Sequence, residues 1–487
     1  MLSTKRSGRI TRLGATRLVT TGAAAALMAI AGCSSGGSSS SSSSSSAPAA
    51  STSSSSSASA SSSASASASA SPSSTPILAG ANCSSSATHI TFWAWVPGMD
   101  RAVTEFNATH PNICVTLQDP GAGSGEYVPL DNALKAGTGA PDVAEVEFDL
   151  LPSYEIQHYL VNLVPYGANN YKSDFASWAW SQVSQGSGVY AMPSDFGPMG
   201  FYYDQATLAK YNITPPTTWA QFATDAIKLH SANPKAYLIN FPANDPQWLM
   251  DMMAQAGAWP FQYTGGANLT IDWTGPAQEK FAAFWQTLIN DHAVAAITDL
   301  STEMNTDLDT GVLAAAVYSA WAPSYFAPDV KHSMGQWRAA PLPQWTAGAS
   351  VGSDWGGSTY PVFSQSKHPA QAAEFSEWLT ATTQSWNIVK TPPSSLFPTF
   401  LPTLQSSAFK SLTYPISGTS QPNQVFSAGA LSIPLTTWPP FMTQVLTQGA
   451  TTFGGVVTGK ETLAQAFAAF QSQEVSYAKS QGFNVTT

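Results

Sequence analysis

From about residue 77 onward the chain alternates short apolar runs with amphipathic stretches. His89-Ile90-Thr91-Phe92-Trp93-Ala94-Trp95 reads as a strand that ends in aromatics. A helix carrying Val103 and Phe106 follows, and Pro111 closes it ahead of a second strand around Cys114-Val115-Thr116-Leu117. Then come a glycine-rich loop, Gly121 to Gly125, a helix through Leu130 and Leu134, and a strand from Asp142 to Val146. Strands alternating with helices in this way predict parallel βαβ units. Later helices carry start signals: Thr218-Trp219-Ala220-Gln221 and Thr458-Gly459-Lys460-Glu461 have the spacing of capping boxes, and Pro369 suits a first helical position ahead of Ala372, Phe375 and Leu379.

The pattern is different before residue 77. Lys5, Arg6, Arg9, Arg12 and Arg17 precede an apolar stretch from about Leu18 to Ala31, too short to span a bilayer comfortably. It ends in Ile30-Ala31-Gly32-Cys33, which resembles the bacterial lipobox. The expectation is a signal peptide over 1–32 and a lipidated Cys33, the other reading being an ordinary secretory signal with an incidental cysteine. Residues 33–76 are then the anchor cysteine and a tether of Ser, Ala, Pro and Thr, whose composition cannot offset the entropy of folding. As a flexible coil it reaches about 35–40 Å.

Some 410 residues are left for the folded body, more than one hydrophobic core comfortably serves, so two lobes are expected. Losing the basic leader takes the net charge from −10 to about −15, which argues against nucleic acid as a partner. Only 10% of residues are charged, yet there are 16 Trp and 16 Tyr, more than a core requires. With Cys33 acylated, Cys83 and Cys114 are left as a pair in an oxidising compartment, either bridged or as two separate buried thiols. If the first two strands are parallel neighbours, both cysteines lie near their N-terminal ends, which suits a bridge.

Motifs for other chemistry are weak. Gly348-Ala349-Ser350-Val351-Gly352 matches G-x-S-x-G, but no strand precedes it and no helix follows. The seven histidines are scattered without metal-ligand spacing, so no metal and no cofactor are expected.

Several segments in order resemble the family 1 extracellular solute-binding proteins, the group that includes maltose-binding proteins. They are Gly188-Val189-Tyr190-Ala191-Met192-Pro193, Phe201-Tyr202-Tyr203-Asp204, Pro215-Pro216-Thr217-Thr218-Trp219, Ala136-Gly137 with Pro141-Asp142-Val143, Gly311 through Trp321, and Ser366 through Leu379. Asp204, Gln221 and Ser319 depart from the family's usual Asn, Glu and Gly. The resemblance implies an α/β, two-lobed periplasmic-binding-protein-like fold of type II, each lobe a mainly parallel sheet flanked by helices, with a hinge between them. The boundaries expected are 77–194 with about 305–353 for the N-terminal lobe, and 195–304 with about 354–487 for the C-terminal lobe. It also implies a monomer, held on the outer face of the bacterial cell membrane by its lipid, that hands a small neutral sugar to the permease of an ABC importer and catalyses nothing.

Sugar rings offer apolar C–H faces to aromatic rings and hydroxyls to carboxylates. Trp93 and Trp95 lie at a strand's C-terminal end, where open α/β sheets bind ligands. Trp321 falls where the resemblance implies a sugar-stacking tryptophan. Trp355, Gly356 and Gly357 mark an expected lobe crossing, glycines allowing close approach of backbone amides to a ligand. Trp438, ahead of Pro439-Pro440, adds a further wall or packs in the core. Glu147 and Asp195 are the carboxylates chosen, beside Glu145 and Asp149; solvated loop charge is the plainer reading of each. The rival functions are a secreted glycoside hydrolase, which also uses paired carboxylates, and a surface glycan-binding adhesin.

Overall fold

The computed structural model describes residues 83–487 with the exception of Ala327. The expected signal peptide, Cys33 and the expected tether lie outside the described residues. No described helix is long and apolar enough to cross a membrane.

The first strand is β1 (Thr88–Trp93), followed by helix α1 (Met99–Thr109), strand β2 (Ile113–Gln118) and helix α2 (Ser124–Ala136). Two short strands follow, β3 (Val143–Ala144) and β4 (Val146–Glu147). β2, β1 and β3 form a parallel sheet in that order, with Ile90 opposite Val115 and Phe92 opposite both Leu117 and Val143. Even-numbered residues of β1 point into the core: Ile90 and Phe92 are buried, while Thr91 and Trp93 are half-buried. His89 pairs with Cys114, and the bridge to Cys83 is present, with the two Cα atoms 5.6 Å apart.

The predicted strand from Asp142 to Val146 is two strands broken at Glu145. β3 pairs with β1, whereas β4 pairs antiparallel with Ser358–Tyr360, which in turn pairs with Met192–Pro193. At Glu145 the chain leaves one sheet for another, and that switch turns its carboxylate toward the crossings between the lobes.

The expected lobe boundaries do not follow the strand pairing. Ala315–Ser319 and Trp337–Pro341 flank Met199–Asp204 on either side, both antiparallel, so 305–353 packs with the segment that begins at 199 and not with the N-terminal lobe. Conversely, Tyr360 and Phe375 hold Phe92 at 5.4 and 5.1 Å between ring centres, so 358–381 returns to the N-terminal lobe. Nothing local to a strand names its partner; pairing is decided by which apolar face the rest of the chain must cover. For the same reason, the strands paired with Met199–Asp204 are antiparallel, beside parallel single bridges such as Tyr237 with Leu313 and Asn240 with Ala295, while Asn268–Ile271 pairs parallel with Asn484–Thr486.

Much of the aromatic excess is core. Trp219, Trp248 and Trp285 are fully buried, with Trp285 5.6 Å from each of the other two. Helix starts are as expected at Trp219 and Pro369, where Thr218 Oγ1 accepts from Gln221 N and Pro369 opens the helix to Ala381. The last long helix, Leu463–Ser480, begins later than Thr458 suggests: Thr462 and Gln465 make the reciprocal cap. Gly348 to Gly352 is a loop.

Candidate functional site

Three chain segments run side by side between the lobes. Phe196 N donates to Phe397 O, Thr399 N to Ser194 O, Trp355 N to Gly197 O and Met199 N to Ser353 O. Gly197 N also donates to the Asp354 carboxylate at 2.8 Å. Glycine is required at 197, because a Cβ there would overlap the Trp355 carbonyl and the Ser319 hydroxyl. It is required at 357 as well, where φ is +101° and a Cβ would meet Phe196 Cα at 2.7 Å. What lies against Gly357 is the neighbouring crossing, and at Gly356, φ +85°, the Trp321 indole nitrogen stands 3.4 Å from the Cβ position.

Carboxylates gather around these crossings from both sides. Glu145 is buried and accepts from Trp95 N at 3.2 Å, Val96 N at 3.3 Å and Ser358 Oγ at 3.0 Å. Ser358 N donates to Asp195 O, and Ser358 sits opposite Glu147 in the ladder, so this serine ties three acidic residues together. Glu147 accepts from the Tyr127 hydroxyl at 3.0 Å, and the Tyr127 ring stands 5.7 Å from that of Trp95. In the second lobe Asp245 caps the helix Pro246–Gln255 through Trp248 N at 2.9 Å, and Asp299 accepts from Asn240 Nδ2 at 2.8 Å.

Burial dominates the electrostatics. Desolvation, then repulsion from Asp195, pushes Glu145 up to about 8. Desolvation raises Asp195 to about 7 and Asp245 to about 6. Asp251 is pushed well above the carboxylate range by burial and by Asp354, Asp245 and Asp149. Neither ion pair among the described residues, Lys135–Asp131 and His332–Asp309, involves these groups. Several acceptors are buried with no donor among the described residues: Asp149 Oδ1, Asp195 Oδ1, Asp251 Oδ2 and Asp299 Oδ2. Orphaned buried acceptors are rare in folded proteins, and each needs a partner. No group of described acidic, histidine or cysteine side chains is arranged to hold a metal ion.

The aromatic wall is compact. Trp321 Nε1 donates to Trp355 O at 2.9 Å, and the two rings are 5.0 Å apart. Tyr318 lies 4.5 Å from Trp355, and Tyr325 lies 5.0 Å from Trp321. Tyr325 is more than half exposed, yet its hydroxyl is raised by burial and by the charges of Glu147 and Glu145.

Of the residues singled out in the sequence, Trp95, Glu147, Asp195, Trp321, Trp355, Gly356 and Gly357 meet here. Trp93 is half-buried against the core. Trp438 has its ring 4.7 Å from Trp259 and lines a small cavity of about 60 Å³ walled also by Leu151, Gln182, Tyr190 and Tyr263. Tyr127, Tyr325, Asp245 and Asp299 went unnoticed in the sequence. Tyr325, four residues beyond Trp321, had a legible signal; the two aspartates had none.

The fold has known counterparts. The "Lactose-binding protein" of Rhizobium radiobacter is 27% identical over 312 residues, 60% of this chain and 71% of that one. The ABC transporter associated binding protein of B. animalis subsp. lactis, solved in complex with β-1,6-galactobiose, superposes with a TM-score of 0.72 at 27% identity, over 82% of this chain and all of its own. The galacto-N-biose-/lacto-N-biose I-binding protein of a Bifidobacterium longum ABC transporter gives the same score at 24% identity, over 83% and 100%. Residues 95–385, more than half of the chain, match the model of the bacterial extracellular solute-binding proteins, and the chain belongs to that family.

Proposed function

We propose that this chain is the substrate-binding component of an ABC importer, closing its two lobes on a neutral mono- or oligosaccharide and presenting it to the membrane permease. The observation that carries the reading is the composition of the cleft: among the described residues, buried acceptors without donors, an indole and phenol wall, and no lysine or arginine in ion-pair contact with these acids. Hydroxyl groups are the donors such acceptors lack, and ring C–H faces match Trp321 and Trp95. An acidic or phosphorylated sugar would add negative charge to an already repulsive site. The ligands of the two relatives at 27% identity, lactose and β-1,6-galactobiose, are of the neutral class. Closure about the 194–199, 353–358 and 396–400 segments brings Glu147 toward Trp321, with Asp195 at the pivot, and enclosing the sugar supplies the affinity.

Cys33 is the proposed lipid anchor and the protein acts as a monomer at the outer face of the cell membrane. Cys33→Ala then releases it into the medium or stalls its processing, and unchanged membrane retention refutes the anchor.

Tryptophan fluorescence titrated with lactose, β-1,6-galactobiose and a wider set of neutral oligosaccharides tests the central reading. Saturable binding, with compaction in small-angle scattering, is expected. Binding without compaction favours an adhesin, and sustained release of shortened products favours a glycoside hydrolase.

A further inference from the structure

We propose that Gln182 is a positioning residue of the closing movement, its side-chain amide latching the N-terminal lobe to the other lobe beside the cleft without touching the saccharide. The proposal rests on the reading of a protein that closes on its ligand, and adds a residue that no motif marks.

Each half of the latch is fixed within its own lobe. Gln182 ends the helix Ser177–Gln182, where Ser181 Oγ donates to Trp178 O, Ser184 Oγ donates to Trp180 O, and Trp180 is buried. The hairpin that follows belongs to the first lobe. Tyr190 N donates to Val183 O, Leu163 N to Val189 O and Val161 N to Val362 O, and Val362 bridges to Val143 of β3. On the other side, Thr437 O accepts from Trp259 Nε1 at 3.1 Å and Thr437 Oγ1 from Tyr263 N at 2.8 Å. The helix Met442–Phe453 just beyond packs on Pro246–Gln255, whose Trp248 Nε1 donates to Val317 O of the strand beside Met199–Asp204. Thr436 is thus carried by the second lobe.

A side-chain bond spans the gap. Gln182 Nε2 donates to Thr436 O at 2.8 Å and approaches Thr436 Oγ1 at 3.3 Å. A carbonyl oxygen only accepts, so the amide N–H is what this contact requires. Nearby, the hairpin of Ser184–Gln185 with Gly188–Val189 lays Gln185 against Gly265, where φ is +99° and a Cβ would overlap Gln185 Nε2. Gln182, Gln185, Thr436 and Tyr263 all border the cavity of about 60 Å³, whose walls come from both lobes. It has room for a few waters and no more, so the lobes are in near contact around it.

The contact lies on the cleft side of the crossings. Leu151, Pro152 and Glu155 wall the cavity from the short helix Leu151–Ile156, which opens just past Glu147. The turn Phe148–Leu150 between them packs on Met442–Phe453 of the second lobe. Lobes that part about the 194–199, 353–358 and 396–400 segments separate Gln182 from Thr436, and water then serves both groups. A bond made in one conformation alone biases the equilibrium toward that conformation by its own free energy. For a hydrogen bond of ordinary net strength the bias is about three- to tenfold.

Gln182→Ala removes the side chain, and Gln182→Met keeps its length without the donor. Binding of lactose and β-1,6-galactobiose is followed by stopped-flow tryptophan fluorescence, beside unliganded melting. For whichever probe the wild type binds more tightly, both variants are expected to lose about three- to tenfold in affinity. The loss should lie in a faster dissociation rate, with association as in the wild type. Unliganded, both should melt at the wild-type temperature, because the bond is absent from the open form. Wild-type dissociation rates in both variants overturn the proposal. So does a lower unliganded melting temperature in both, since the bond would then belong to the resting fold. If the wild type binds a probe without compacting in small-angle scattering, the latch falls and the saccharide reading stands; if it binds no saccharide, the reading falls and the latch with it.

Discussion

Replacing Glu145 by glutamine should flatten much of the protein's pH–stability profile. Glu145 is fully buried, has three hydrogen-bond donors and no cationic partner among the described residues, and its carboxyl is pushed up to about 8 from an ordinary 4.5. Because the folded value lies above the unfolded one, the folded state holds this proton where the unfolded chain has released it. Stability is therefore greatest at or below the unfolded value and falls as pH rises between the two. Integrating between those two values, this residue alone costs about 2.5 kcal/mol between pH 5 and pH 7. For a body of some 400 residues that is a fall in Tm of about 3 °C. Asp195 and Asp245, raised to about 7 and about 6, act in the same direction. Differential scanning calorimetry of wild type and Glu145→Gln at pH 5, 6, 7 and 8, without ligand, reads the effect. The variant should start slightly below wild type at pH 5, having one fewer acceptor for Trp95 N, Val96 N and Ser358 Oγ, and overtake it by pH 7. Parallel profiles for the two proteins would refute the argument, since they would mean that Glu145 is ionised in the fold.

Trp321→Ala should weaken saccharide binding by about 1–3 kcal/mol, roughly 5- to 150-fold, with a modest effect on Tm because the ring is only partly buried; calorimetric titration beside unliganded melting separates the two. Gly197→Ala should destabilise by about 2 kcal/mol or more, since the added methyl overlaps the Trp355 carbonyl at the closest approach of two crossings, and chemical denaturation checks it. Cys83→Ser opens a loop of 31 residues' separation and should lower stability by about 3–4 kcal/mol in the chain-entropy model, while unreduced wild type shows no titratable thiol from this pair after unfolding.

The N-terminal βαβ region was legible because its signals are local. Alternation in His89–Trp93, the Pro111 break and the periodic Leu130 and Leu134 each depend on residues a few places apart. The same parallel register suited a Cys83–Cys114 bridge, which stood beside two separate thiols until the fold decided it. The cleft was legible only where a residue type is costly to place elsewhere, as with Trp321 beside the crossing glycines.

Sequence by itself determined the order and kind of the elements, the acidic and cation-poor body, and the family through ordered segments from Ala136 to Leu379. Tertiary structure alone decided which lobe owns 305–381, which tryptophans are core and which face the cleft, and which acids face one another. The physical reason is range. Helix and strand propensities are set by neighbours in the chain, whereas strand partners, desolvation and charge repulsion are set by groups that the fold brings from far away, as it brings Ser358 to Glu145 across 213 positions.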